Sequence, residues 1–200
     1  MTKNRSILSA GRRRAAVAGV CAALALGGLT ACGDDQASGA ASVPDGWGTL
    51  KTKGADVSYP KGADGYTPQS AADRSKYNAA AAQREQNGSL VSLITVQLDF
   101  TNADSAAEAA IGAEAGVQLG STVKSTKDIA LSGAKDAKRI DFEFGSSGEQ
   151  NTPPKGTRVT GVILTGLDSH QKTFAVRIDA KKGLLSASEL DKIIDSVEVH

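Results

Sequence analysis

The sequence predicts an α+β fold: an antiparallel β-sheet covered by helices. Three observations predict it. Several short stretches alternate apolar and polar residues with period two, the pattern of half-buried strands. The links between them are tight and rich in turn residues, Asn87-Gly88 above all, so consecutive strands fold back on one another. Two further stretches carry apolar residues at helical spacing, and helices interspersed among antiparallel strands must pack on the sheet.

The elements follow in chain order. Trp47 to Leu50 and Asp56 to Tyr59 read as two short strands around Lys53-Gly54, closed by Pro60. Trp47, the single tryptophan, is expected to plug the start of the core. Lys61 to Ser75 reads as an excursion of turns with one helical turn after Pro68. Asn78 to Gln86 and Leu90 to Phe100 form a hairpin, with Ile94, Val96, Leu98 and Phe100 on one face and Thr95, Gln97 and Asp99 on the other. Asp104 to Gln118 is a helix, capped by Asn102 or Asp104, with a stripe of Ala107, Ile111, Ala115 and Leu119 and an end at Gly120.

Strands then resume. Val123 to Leu131 precedes Lys138 to Phe144, where Ile140, Phe142 and Phe144 point inward and Asp141 and Glu143 outward. A polar loop, Gly145 to Gly156, leads to a hairpin of Thr157 to Leu167 and Thr173 to Ala180, whose buried face is Phe174, Val176 and Ile178. The last helix runs from Ser186 to Ser196, with a Ser186/Glu189 capping box and a stripe of Leu190, Ile193, Ile194 and Val197. Val197-Glu198-Val199 adds a short edge strand.

Ahead of this domain lies a different kind of sequence. Arg12, Arg13 and Arg14, with Lys3 and Arg5, form a basic start, and Ala15 to Leu29 is an uninterrupted apolar run of 15 residues. That length suits a secretory signal and is short of the roughly 20 residues a spanning helix needs. Leu29-Thr30-Ala31-Cys32 follows and resembles the lipobox of bacterial lipoproteins. The resemblance implies that the Cys32 thiol receives a diacylglyceryl group and that the chain is cut just before it. The plainer alternatives are a signal peptide cut after Ala31 and an uncleaved anchor. The expected organisation is a removed leader over residues 1–31, a flexible tether over 32–46 and a globular domain over 47–200. One acyl chain binds a bilayer reversibly and two hold it firmly, so Cys32 is the expected membrane anchor, on the extracytoplasmic face of the cell membrane. The tether, GDDQASGAASVPD after the cysteine, has no apolar periodicity and a reach of roughly 20 Å.

Composition narrows function. Five of the 23 basic residues and none of the 22 acidic ones lie in the leader, which leaves 18 positive against 22 negative, a net −4 for the rest. A slightly acidic module with no basic stripe or aromatic platform does not read as a nucleic-acid binder. Cys21 leaves with the leader and Cys32 carries lipid, so no disulfide is expected and packing alone must hold the domain.

Chemistry-bearing motifs are sparse. Asp168-Ser169-His170 contains the residue types of a triad, but neighbours in one turn cannot aim nucleophile, base and orienter at one atom. No nucleophile elbow, spaced metal-ligand set or phosphate cradle is present, so no catalytic residue, metal or cofactor is expected. Asp141 and Glu143 read as solvated charges on a strand. The loops Lys61 to Ser75 and Gly145 to Gly156 are the best places for partner contact.

The order of elements carries a second resemblance. A Tyr-Pro near the start, a hairpin ending ITVQLDF, an alanine-rich helix, the strands DIALSG and AKRIDFEF, a long hairpin and a terminal LDKIIDSVEV are similar to the PsbP-like fold of actinobacterial lipoproteins of the LpqN/LpqT type. That resemblance implies an α/β sandwich over residues 47–200 and a binding or accessory role. The function expected is a lipid-anchored envelope module that is not an enzyme and that holds an envelope protein, a glycan or a small apolar ligand. The alternative is a carboxylate-dependent cell-wall hydrolase, which needs two carboxylates facing across a cleft.

Overall fold

The computed structural model of the protein describes residues 43–117 and 120–200. Its strands are β1 (Trp47–Leu50), β2 (Ala55–Pro60), β3 (Thr67–Pro68), β4 (Ala80–Gln86), β5 (Ser89–Leu98), β6 (Thr122–Ile129), β7 (Ala137–Gly145), β8 (Arg158–Leu167), β9 (Thr173–Lys181) and β10 (Glu198–Val199); its helices are α1 (Ala106–Ala115) and α2 (Ala187–Asp195). Seven strands make one sheet in the order β3-β4-β5-β9-β8-β7-β6, and β1-β2-β10 make a second. Every neighbouring pair of strands in both sheets is antiparallel. The α+β expectation holds.

The large sheet is a hairpin, β4–β5, joined to a meander, β6–β9. The last meander strand returns to pair with β5, in the register Ile94↔Ile178 and Val96↔Val176. The β4–β5 turn is as expected. Asn87 at φ 52° and Gly88 at φ 71° both occupy the left-handed region a tight primed turn demands.

Pleating splits the sheet into two faces. On the first, Ile94, Val96, Leu164, Phe174, Val176 and Ile178 are buried against the small sheet and α2. Leu50, Val57 and Val199 come from the small sheet, Ile193 and Ile194 from α2, and Val197 from the residue just past its cap. Trp47 is half-buried at the edge of this core. Ser186 caps α2 by accepting from the Glu189 N–H at 3.1 Å, as the sequence predicts. The terminal strand pairs with β2 of the small sheet, in the register Glu198↔Asp56.

The second face is covered by α1 over β7, β8 and β9. Here the expected stripe is wrong for Ala107, Ile111 and Ala115, which are exposed; Leu119 lies outside the described residues. Ala106, Ala109, Ala110 and Ala113 are the buried residues, and Ile111 is 69 % exposed. The methyl-only face lets the helix approach Ile140, Phe142, Phe144 and Ile163 closely. An isoleucine there would hold the helix off. The cap also differs: Ser105 accepts from the Glu108 N–H at 3.2 Å while Glu108 accepts from the Asp104 N–H at 3.0 Å. The helix ends at Gly116, four residues before the expected Gly120.

Two further expectations change. The turn after Pro68 is preceded by a two-residue strand, β3, on the edge of the large sheet. Pro44 to Gly46, assigned to the tether, form a turn into β1: the Trp47 N–H donates to Pro44 O and the Lys61 N–H to Gly46 O.

Candidate functional site

The second face of the large sheet is not covered along its whole length. Beyond α1, on β5 and β9, it opens into a cavity of about 300 Å³. Its floor is Leu93, Thr95 and Gln97 from β5, Arg177 and Asp179 from β9, and Phe144 from β7. Ser75 and Asn78 stand on one rim, Glu149, Asn151 and Thr152 on the other, and Gly116 at the end of α1. The two loops picked out from the sequence therefore face each other across one groove. They also touch, since Gln69 Nε2 donates to Asn151 Oδ1 at 3.4 Å.

Arg177 and Asp179 define the groove. They lie two apart on β9, so they share a face, and Nε of Arg177 donates to Oδ1 and Oδ2 of Asp179 at 3.0 and 2.9 Å. Their side chains are 25 % and 14 % exposed. The guanidinium lies over the Phe142 and Phe144 rings, 5.0 and 5.9 Å from the centroids, where each ring's negative face attracts it. Phe142 and Phe144 stack with their ring centroids 6.0 Å apart. Gly161 makes room. A Cβ there would stand 2.2 Å from the Phe142 ring and 2.7 Å from Asp179 Oδ1.

Desolvation pushes the Asp179 carboxyl above its ordinary range, and Arg177 opposes that rise. Among the described residues, Nη1 and Nη2 of Arg177 have no hydrogen-bond partner, so the outer fork of the guanidinium remains unspent. Around it, Gln97 Nε2 donates to Asn78 Oδ1 at 3.1 Å and Thr152 Oγ1 to Glu149 O at 2.6 Å. These bonds orient the rim and leave further donors and acceptors free.

The opposite face carries a second charged group. Glu143 accepts from Lys182 at 3.0 Å and Arg158 at 3.2 Å and lies 3.6 Å from Lys124. The Lys182 hydrogen bond is the largest of the influences that hold its carboxyl below the usual range. At 18 % side-chain exposure Glu143 is not the freely solvated outward charge the alternation suggests. Asp141 is tied similarly, accepting from Arg139 at 2.8 Å. The cover comes from cationic side chains of neighbouring strands, Lys124, Arg158 and Lys182 around Glu143 and Arg139 beside Asp141.

Asp168, Ser169 and His170 do meet in the β8–β9 turn, but not as a triad. Asp168 Oδ1 accepts the backbone N–H groups of His170 and Lys172, each at 2.8 Å. The carboxylate holds the turn together as an Asx cap. Ser169 Oγ and His170 Nδ1, 3.3 Å apart, are exposed.

The leader (1–31), Cys32 and tether residues 33–42 lie outside the described residues. Among the described residues no helix is long and apolar enough to cross a membrane.

The sequence reading missed Arg177, Asp179, Thr95 and Gln97 as groove residues. A positive and a negative residue two apart on a strand whose other face is wholly apolar was the available sign. It needed the knowledge that β9 sits between β5 and β8.

No protein-family model and no curated protein matches the chain. One similar solved structure is a crystal structure from Bacteroides thetaiotaomicron VPI-5482, with a TM-score of 0.43 and 14 % identity. The match covers 73 % of this chain and 45 % of that one, so the chain spans less than half of its length.

Proposed function

We propose that the protein is a lipoprotein of the cell envelope whose domain is a non-catalytic binding module, and that the groove between the two loops holds a small polar ligand. One observation carries the binding reading: a mostly buried Arg177–Asp179 pair lines the cavity, and among the described residues the outer guanidinium nitrogens have no hydrogen-bond partner. Those nitrogens face the open cavity, where a ligand can reach them. The attachment rests on the sequence, where the basic start, apolar run and LTAC motif at Cys32 support a diacylglyceryl anchor. The similarity in element order to the PsbP-like lipoproteins supports an accessory role of the same kind.

The groove does hold two carboxylates, Asp179 on its floor and Glu149 on its rim, and desolvation raises Asp179, but the hydrolase alternative still finds less support. A general acid must hold and release a proton at the scissile bond. Asp179 faces the Arg177 guanidinium with both of its oxygens, which suits a fixed acceptor.

Two measurements test the proposal. Intact-mass analysis of membrane-extracted protein should show an acylated chain beginning at Cys32, and Cys32→Ser should release the protein to the soluble fraction. An unacylated chain, or a serine variant that stays with the membrane, would overturn the anchor. Chemical shifts of Arg177 and Gln97 should move when a library of small polar fragments is added; an unresponsive groove would overturn the binding module.

A further inference from the structure

The chemistry of the groove narrows the ligand class, and the narrowing rests on the binding reading above. Three formal charges line it: Arg177 positive, Asp179 and Glu149 negative. Arg177 is already offset by Asp179 at 2.9 Å, so an anion would meet a carboxylate beside its only guanidinium. A cation would meet that guanidinium on the floor, and the third charge, Glu149, is exposed on the rim and keeps its water. An apolar ligand would strip water from the ion pair and the amides without replacing their hydrogen bonds, at a cost. What remains is a neutral molecule dense in groups that both donate and accept.

The free valences match that description. Arg177 offers Nη donors, and Asp179 has lone pairs beyond those that Arg177 occupies. Gln97, with Nε2 committed to Asn78, offers its Oε1 acceptor; Asn78, with Oδ1 so engaged, offers Nδ2. Asn151 likewise accepts with Oδ1 and keeps Nδ2. Donors and acceptors alternate around the cavity, and a hydroxyl, one donor with two lone pairs, satisfies such neighbours in pairs. Leu93 and the Phe144 edge of the floor give apolar surface for a face of C–H groups. Thus a planar carboxylate and a planar guanidinium, side by side, meet adjacent hydroxyls on a ring. The volume of about 300 Å³ lies at the small end of the roughly 300–1,000 Å³ of ligand pockets, enough for one or two rings.

We propose that the groove is a binding site for a neutral saccharide of one or two sugar units, with Arg177 and Asp179 gripping neighbouring ring hydroxyls.

The test uses the full membrane-extracted protein in a detergent without a sugar headgroup. Ligand-observed saturation-transfer NMR is run with glucose, N-acetylglucosamine, maltose and trehalose, and in parallel with acetate, inorganic phosphate, spermidine and decanoate. At least one neutral sugar should bind. Arg177→Lys, which keeps the charge and loses the planar fork, should weaken it by about tenfold or more, a difference of about 1.4 kcal/mol. Gln97→Ala, a floor change that leaves the ion pair intact, should weaken it severalfold, and circular dichroism should show both variants folded. If a charged or apolar probe binds in an Arg177-dependent way and no sugar does, the saccharide assignment falls while the binding module stands. If none of the eight binds, both fall. Sugar binding indifferent to both substitutions puts the site elsewhere and also overturns the proposal.

Discussion

The two faces of the seven-stranded sheet handle burial in different ways. The first meets two elements, the small sheet and α2, and is packed with aliphatic and aromatic side chains over most of its area, with a smaller opening of about 190 Å³ beside Glu143. The second meets one helix, whose buried side is alanine, and that helix stops at Gly116. Past its end the sheet has to manage its own exposed middle, and it does so with Phe142 and Phe144 beneath a guanidinium. A full cover yields stability; a partial cover yields a cavity whose floor is rigid because it is the centre of a sheet. Functional groups on such a floor are held by strand registry, Thr95↔Arg177 and Leu93↔Asp179, and not by loop conformation.

The largest contrast between the faces should appear on truncation. Phe174 is fully buried on the sealed face, so Phe174→Ala should cost about 3–5 kcal/mol. Leu93, half-buried on the groove floor, already borders water, and Leu93→Ala should cost about 1 kcal/mol. Urea denaturation of the two variants measures both. Equal losses would mean that the groove is closed and that the two faces are alike.

The ion pair comes next in size. Removing one partner of a fully buried pair costs about 3–5 kcal/mol, mainly by stranding the other charge. Because Arg177 keeps 25 % of its side-chain surface in contact with water, Arg177→Met should cost less, about 2 kcal/mol. Adding Asp179→Asn should return part of that loss, since the stranded carboxylate is then gone. A double-mutant cycle without coupling would show that the pair contributes nothing to folding and would leave ligand binding as its sole role.

How much of this was legible beforehand depends on range. Local rules worked where the determinant was local: the Asn87-Gly88 turn, the Ser186 cap of α2 and the apolar alternation of Phe174, Val176 and Ile178 all appear as expected. They failed on α1, because an alanine-rich helix has almost no apolar periodicity and Ile111 drew the stripe to the exposed side. The groove was illegible for another reason. Arg177 and Gln97 are 80 positions apart in the chain and become neighbours through the β5–β9 pairing, which no turn signal announces. Gly161 gave a partial hint, since a glycine inside an apolar strand marks the close approach of something, here the Phe142 ring.

The smallest expected effect separates the faces by sign. Asp179 on the groove face and Glu143 on the opposite face both have cationic partners, yet their carboxyls shift in opposite directions. Desolvation dominates at Asp179, with one guanidinium against it; at Glu143 the Lys182 hydrogen bond leads, with Lys124 and Arg158 adding to it. Because the folded Asp179 binds its proton more tightly than the unfolded chain does, it weakens the fold at neutral pH. That penalty is relieved as pH falls from its raised value toward the ordinary 3.8. Glu143 does the reverse: its contribution is present above the ordinary 4.5 and is lost as pH falls through its lowered value. Urea titrations between about pH 3 and pH 7 should therefore show Asp179→Asn removing a gain in stability on acidification and Glu143→Gln removing a loss. If both substitutions change the pH profile in the same direction, the electrostatic distinction between the two faces is wrong, and Asp179 is then a solvated charge like any other on the surface.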